Sequence, residues 1–457
     1  MKSFFAPESV AVVGATGNKM KGGYHIFNNL VSYYNDRVYP VNPNYTEIDG
    51  HKVYPSVSEL PEIVELVIIF TPAVTIPAIV EESASLGIKR VQIQAAGFAE
   101  TGDDGKLLAD RVMKIAKENG IRIWGPNCTG SVNSDNLFFA PFMPVMNLGE
   151  KLVKGNVSIV TQTGMLAAGF LVQVLDSNYF GIDKAAAIGN KMDVDEVDIL
   201  EYLAGEDTTG IILMYLESIN RGREFLEVAE RLKGKKAIVL LKGGRSPVAV
   251  NAALSHTGSL AGDDGLIAGA LNQAGVARVC GFIDMMNVGR ALSLLPTWNG
   301  GKRIGIITIS GGAGIVTADL LNDRGIDVPE LTRETTARLQ EIFPPWMPPK
   351  NPVDIWPTME IRGINEALEM VVPVVMADEN IDAVILLPFA SPITENIDTG
   401  IFERAMMETK KPVLTWMFGF IPSFEKFKRN FEGAGVPVFK ELNHIVSVVS
   451  ALRDLNR

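Results

Sequence analysis

Cysteine is nearly absent from this sequence: 457 residues hold two, Cys128 and Cys280, far apart along the chain. That excludes a disulfide framework and points to a reducing, cytosolic compartment. Long apolar runs are missing too. The short apolar stretch after Lys2 is broken by Pro7 and Glu8, and no segment approaches about 18 apolar residues, so neither a signal peptide nor a membrane span is expected. Positive charge is in deficit: 42 Lys and Arg face 53 Asp and Glu, a net charge of −11. A nucleic-acid binder would carry a basic face, so that class is disfavoured. An anionic ligand stays open, because backbone N–H groups can hold phosphate inside an acidic protein. Histidine is scarce as well, with four residues in all.

What is present is glycine, 43 residues of it, in a chain long enough for about three domains of roughly 150 residues. Short buried strands alternate with helical periodicity over residues 1–126: Val10–Val13, Val38–Val41, Leu66–Phe70, Val91–Gln94 and Arg122–Trp124 are strands, with helices over Ile76–Leu86 and Lys106–Glu118. This is the pattern of a doubly wound parallel sheet. A second series begins at Val157, with strands at Val157–Val160, Ala185–Ile188, Gly210–Leu216 and Ala237–Leu241. A third follows a Pro/Gly-containing linker, with strands at Ile304–Ile307, Ala383–Leu387 and Val413–Trp416. The expected architecture is α/β: a Rossmann-like domain over 1–126 and two flavodoxin-like parallel-sheet domains over 127–295 and 302–457. The last two look like copies. Ser158–Gly164 sets beside Gly305–Gly311, each series then reaches a Gly-Ile-Asp, and further matched strands follow in the same order. Shared order across several elements favours duplication over chance likeness of buried strands.

Each series opens with a strand, a Gly/Ser/Thr turn and a helix, and a helix N-terminus favours anions. The first turn, Gly14–Gly23, carries Gly14, Thr16, Gly17, Asn18, Lys19 and Lys21. A nicotinamide-dinucleotide domain would usually end its second strand with an acidic residue that holds the ribose. Asn42 and Pro43 stand there instead, which tilts the ligand from NAD toward CoA. The second turn is Thr161, Gln162, Thr163 and Gly164, and the third is Ser310, Gly311 and Gly312. Two such termini could clamp one phosphate; ordinary capped turns are the competing explanation.

His25, His51 and His444 sit in ordinary helical or loop settings. His256 lies among Ser255, Thr257, Gly258 and Ser259, a small-residue stretch that suits an exposed, movable nucleophile. Its unperturbed pKa of about 6.5 leaves a neutral imidazole available near neutral pH. Glu217 ends the strand Gly210–Leu216, at the edge where sites form in parallel sheets, and could orient such an imidazole. The run Asp193–Asp198 hints at a metal, but acids in a first helical turn more simply complement the helix dipole, and no metal site is expected.

Ser255–Gly262 resembles the phosphohistidine loop of NDP-forming acyl-CoA synthetases, relatives of succinyl-CoA synthetase. The resemblance spans essentially the whole chain. Ser9–Ala15, Tyr39–Pro43, Ala96–Phe98 and Gly125–Cys128 are similar to the family's CoA-binding domain; Thr161–Gly164 resembles its Ser-Gln-Ser-Gly turn; Ile188–Asp195 and Asn351–Asp354 also match. The usual Gly-Ala-Ser is Gly14-Ala15-Thr16 here, which keeps a hydroxyl. The resemblance implies the ADP-forming acetyl-CoA synthetase α subunit type, running acyl-CoA + ADP + phosphate ⇌ acid + CoA + ATP. His256 would carry the phosphoryl group and Glu217 would assist it. CoA would be held by the first-turn residues, Asn42, Pro43, Thr71, Pro72, Ala96, Gly97 and Asn127. No ATP-grasp region is recognised, so the resemblance implies a separate ATP-grasp β subunit in an α2β2 assembly, with ADP or ATP and Mg2+ on that partner. Two other classes remain: a CoA-binding regulatory module without turnover, which His256 and Glu217 argue against, and a Rossmann oxidoreductase, disfavoured by Asn42.

Overall fold

A computed structural model of the chain describes residues 1–34, 36–144, 152–177, 179–246, 248–249, 264–295, 301–392 and 394–456. His256 and its neighbours lie outside the described residues. The chain forms two compact units, Met1–Ala274 and Gly275–Arg457.

The first unit begins with a parallel sheet built from β1 (Val10–Val13), β2 (Val38–Val41), β3 (Leu66–Ile69), β4 (Arg90–Ile93) and β5 (Arg122–Trp124). Its order is β2-β1-β3-β4-β5, with Val10 opposite both Val38 and Leu66. Helices α1 (Gly22–Tyr33), α2 (Ile76–Ser85) and α3 (Asp103–Asn119) connect the strands. β1 and β3 are buried along their whole length, which is why they carry only apolar residues. The apolar stretch near the start is core as well: Phe4 and Phe5 are fully buried, packed on Trp124 at 5.3 and 5.4 Å between ring centroids. Each such side chain contributes roughly 1.5–3 kcal/mol by leaving water.

A second sheet in this unit runs β11-β10-β8-β9-β6-β7. Its members are β6 (Gly130–Asn133), β7 (Phe138–Phe139), β8 (Lys154–Thr161), β9 (Ile182–Ala187), β10 (Ile211–Leu216) and β11 (Ala237–Lys242). Helices α4 (Gly164–Ser177), α5 (Glu196–Ala204) and α6 (Gly222–Leu232) follow β8, β9 and β10. β6 pairs antiparallel with β9, and β7 antiparallel with β6, so this edge departs from the all-parallel expectation. The indole Nε1 of Trp124 donates to the Ala187 carbonyl at 2.7 Å, tying the first sheet to the second.

The second unit holds a parallel sheet of β12 (Ile304–Thr308), β13 (Val353–Asp354), β14 (Ala383–Leu387), β15 (Val413–Trp416) and β16 (Val438–Phe439), in the order β13-β12-β14-β15-β16. Helix α7 (Gly311–Asn322) follows β12. Taken in chain order, the strands of this sheet run 2-1-3-4-5, and β8 to β11 repeat the first four places of that order. This is the flavodoxin-like arrangement. Asn351 braces it: its side chain donates to the Ile304 and Pro329 carbonyls at 2.8 and 2.9 Å and accepts from the Ile306 N–H at 2.9 Å.

Candidate functional site

The turn after β1 fits tightly against β3. Gly14 has φ +93°, and a Cβ built there would lie 2.4 Å from the Phe70 carbonyl oxygen, so no other residue fits without backbone movement. A Cβ at Gly23, in the first turn of α1, would come 2.2 Å from the Gly14 carbonyl oxygen, so the helix also starts hard against the turn. Thr16 Oγ1 hydrogen-bonds Tyr45 Oη at 2.9 Å and accepts the Asn18 N–H at 3.2 Å. Asn42 donates through Nδ2 to the Ala15 carbonyl at 2.7 Å and accepts from the Asn44 N–H at 3.0 Å. A carboxylate could not donate the first of these bonds, which gives the missing acid at the end of β2 a physical reason.

Around this turn opens a cavity of about 710 Å3, lined by Gly14, Thr16, Asn42, Pro43, Thr71 and Pro72 among others. Lys21, Tyr45, Ser56, Phe70 and Glu82 join the lining, and of these only Lys21 was visible in the sequence as part of the turn. Gly17, Asn18 and Lys19 belong to the same turn without lining the cavity; the Lys19 ammonium stands 5.8 Å from the Tyr24 ring centroid. Ala96, Gly97 and Asn127 also lie off the lining. Gly97 sits beside the Thr71–Pro72 wall, where a Cβ on it would meet Ala73 Cβ at 2.9 Å. The Gly97 N–H donates to Glu100 Oε1 at 2.7 Å, and Asn190 Nδ2 donates to Glu100 Oε2 at 2.7 Å. Asn127 Nδ2 reaches Asn190 Oδ1 at 3.4 Å. The Ala96–Gly97 turn is therefore linked, through Glu100, to the Gly189–Lys191 segment.

The second turn leads from β8 into α4. Thr161 Oγ1 donates to the Thr163 carbonyl at 3.4 Å. Gln162 is buried, and its Oε1 accepts the N–H groups of Glu217 and Ser218 at 2.8 and 3.0 Å. Its side chain thus holds the end of β10 and not open space over the helix terminus. Glu217 is half-buried, takes a bond from the Tyr215 hydroxyl at 3.4 Å, and offers its carbonyl to Lys242 Nζ at 2.6 Å. Burial first, then the neighbouring Glu217 carboxylate, pushes the Tyr215 phenol up to about 12.

In the second unit Thr308 Oγ1 donates to the Ser310 carbonyl at 2.8 Å, so the same Thr-to-carbonyl bond closes both duplicated turns. Ser310, Gly311 and Gly312 are exposed at the start of α7. A Cβ on Gly311 would meet Asp354 Oδ2 at 3.3 Å, and one on Gly312 would meet nothing within 4 Å.

The acidic run Asp193–Asp198 serves structure. Asp195 caps α5 in a reciprocal capping box with Asp198. Arg122 pairs with Asp193 and Asp198, and Arg221 with Asp195 and Asp198. Among the described residues no group of three or more His, Cys, Asp or Glu could hold a metal ion, and no helix is long and apolar enough to cross a membrane.

Comparison with known proteins gives two family models: a CoA binding domain over residues 8–134 and a succinyl-CoA ligase like flavodoxin domain over residues 154–292. The chain is 36% identical over 456 residues to the acetate–CoA ligase (ADP-forming) II subunit alpha of Pyrococcus furiosus, covering 98% of this chain and 96% of that one. It is 35% identical over 454 residues to acetate–CoA ligase (ADP-forming) II of Archaeoglobus fulgidus, covering 98% of this chain but only 66% of that longer protein. The dinucleotide forming acetyl-coenzyme A synthetase 1 of Candidatus Korarchaeum cryptofilum, solved in complex with phosphate and ADP, superposes with a TM-score of 0.86 at 29% identity, over 100% of this chain and 96% of that one.

Proposed function

The chain belongs to the family of ADP-forming acetate–CoA ligases, and from that premise we propose that it is the CoA-binding, phosphoryl-carrying α subunit of such an enzyme. The reaction is acyl-CoA + ADP + phosphate ⇌ acid + CoA + ATP. Two observations carry this reading: a roomy cavity at the β1 turn, and a carboxylate, Glu217, whose backbone is held by Gln162 from the helix-start turn of the adjacent strand. Residues 1–126 are the CoA-binding domain, 127–295 the phosphohistidine-bearing domain and 302–457 a second flavodoxin-like domain.

CoA lies in the cavity lined by Gly14, Thr16, Lys21, Asn42, Pro43, Thr71 and Pro72, its phosphates at the Gly14–Lys19 turn, with Ala96, Gly97 and Asn127 as further contacts. Within each unit separately, the helix-start turn serves phosphate: Thr161, Thr163 and Gly164 before α4, and Ser310, Gly311 and Gly312 before α7. Gln162 contributes there by placing its neighbours. Phosphate oxygen attacks the thioester carbonyl carbon, the C–S bond breaks, and CoA leaves with an acyl phosphate formed. An imidazole nitrogen of His256 then attacks phosphorus. The P–O bond to the acyl oxygen breaks and the acid leaves as carboxylate. Glu217 accepts the N–H of the other ring nitrogen and stabilises the positive charge that develops. The phosphoryl group passes on to ADP, bound with Mg2+ by an ATP-grasp β subunit in an α2β2 assembly in the cytoplasm. The acid is acetate or another short-chain or aryl acid.

The test is labelling of the purified chain with acetyl-CoA and radiolabelled phosphate. Acid-labile, base-stable label is expected on His256 and absent from His256→Ala, which still binds CoA. CoA binding with no label on the unaltered chain would establish a regulatory module instead; label retained in His256→Ala would remove the carrier role.

A further inference from the structure

Lys191 and Glu196 form an ion pair deep in the first unit, with side chains 1% and 0% exposed and Nζ to Oε2 2.8 Å apart. Two charges withdrawn from water cost several kcal/mol each unless their hydrogen bonds are nearly complete. Here they are well supplied, and the partners converge on one short stretch. Lys191 Nζ also donates to the Ser218 carbonyl at 2.9 Å and to the Ser218 hydroxyl at 3.0 Å. Glu196 Oε1 accepts the Asn220 N–H at 2.9 Å. The loop after β10 is thus held at Ser218 by the lysine and at Asn220 by the glutamate. Gln162 holds the same loop through the N–H groups of Glu217 and Ser218.

The lysine is itself fixed. It has φ +54°, an uncommon conformation for a residue with a side chain, and its neighbours Asn190 and Met192 donate backbone N–H bonds to the Pro126 and Gly125 carbonyls, both at 2.9 Å. Asn190 also binds Glu100, whose other oxygen holds the Gly97 N–H. A purely stabilising pair would serve as well with its charges facing any two elements. This one has its spare bonds on the residue that follows Glu217, and its backbone on the loop that joins the CoA-side turn.

We propose that Lys191, with Glu196, is a positioning residue for Glu217: the buried pair sets the end of β10 so that the carboxylate meets the imidazole that accepts the phosphoryl group. The proposal rests on the reading of Glu217 given above. Lys191 touches no reacting atom in this scheme and acts through Ser218.

The test uses the full chain with radiolabelled acetyl phosphate, which bypasses the thioester step. Lys191→Met alone would strand a buried carboxylate, so the informative variant is Lys191→Met with Glu196→Leu, since apolar replacement of a whole buried pair is often neutral for stability. It is expected to melt near the unaltered protein and to bind CoA as tightly. Its labelling rate at saturating acetyl phosphate should fall on the order of tenfold to a hundredfold, as small misplacements of a catalytic group do. Half-saturation should not move. Ser218→Ala, which removes the hydroxyl bound by Lys191 at 3.0 Å and by Gln162 Nε2 at 3.4 Å while leaving the Ser218 carbonyl to Lys191, is the milder companion and should slow labelling less, again without a change in melting. A normal rate in the double variant and in Ser218→Ala overturns the proposal while Glu217→Gln remains slow. A fall in rate of the double variant that merely tracks a fall in its melting temperature overturns the proposal too. A normal rate in Glu217→Gln overturns the reading of Glu217 and this proposal with it.

Discussion

The side-chain oxygen of Gln162 accepts the backbone N–H of Glu217 at 2.8 Å, across two adjacent parallel strands. The turn that introduces α4 and the carboxylate that ends β10 are therefore one mechanical element. Replacing Gln162 by Leu leaves the N–H groups of Glu217 and Ser218 without this acceptor, a loss of roughly 1–3 kcal/mol. The expected outcome is a lower melting temperature and a slower phosphorylation of His256. If Gln162 acts by holding Glu217, the maximal rate falls while half-saturation by phosphate stays put. If it binds phosphate directly, half-saturation rises.

Asn42→Asp tests the cavity. The substitution removes the donor to the Ala15 carbonyl and sets a negative charge in the lining. CoA affinity should weaken by roughly tenfold, about 1.4 kcal/mol, or more. Isothermal titration of the full chain with CoA and with NAD reads the result. CoA binding unchanged, or NAD binding in either form, would overturn the assignment of this cavity to CoA.

The strands Val10–Val13, Val38–Val41, Ala383–Leu387 and Val413–Trp416 are found at the bounds their apolar runs suggest, because their largely buried residues leave a nearly continuous signal. Helix starts were less legible. α3 begins at Asp103 instead of Lys106, because Gly105, a poor helix former, sits in its first turn, where a Cβ would come 1.9 Å from the Phe98 carbonyl oxygen. The antiparallel edge Gly130–Asn133 carries no alternation that would mark it. Among the residues that line the cavity, Gly14 and Asn42 could be singled out because each stands at a strand end that the apolar runs mark. The Thr16–Tyr45, Glu100–Asn190 and Lys191–Ser218 contacts could not, because each joins residues tens of positions apart in the chain. The segment Ile188–Asp195 stood out in the sequence, but nothing local says that its lysine turns inward to Ser218.

The two thiols should behave oppositely. Cys128 is 1% exposed, and burial pushes its pKa up to about 12, so little thiolate forms below strongly alkaline pH. Cys280 is exposed. Alkylation of the native chain at mildly alkaline pH should modify Cys280 alone, and both residues in denaturant. Rapid native modification of Cys128 would show that the region between β5 and β6 opens locally.

Asp195 gives a stability prediction with a definite sign. Burial raises its pKa, but the Arg221 guanidinium and the N–H groups of Asp198 and Val197 outweigh that, and its carboxyl ends below the usual carboxylate range. A group whose folded pKa is depressed stabilises fully above its unfolded pKa, about 3.9, and that stabilisation is lost as pH falls through the folded value. The protein should therefore melt at steadily lower temperature as pH drops below about 4, and this carboxylate should contribute nothing to any change between pH 6 and 8. Asp195→Asn keeps an oxygen to cap α5 but removes the charge that binds Arg221. It should cost about 1 kcal/mol at neutral pH, in the range of a weakened cap and a partly exposed ion pair. Its melting temperature should also fall less steeply in acid than that of the unaltered protein. Parallel acid limbs for the two proteins would mean that Asp195 does not titrate with folding. A neutral-pH stability equal to the unaltered protein would mean that the Arg221 pair adds nothing beyond the cap.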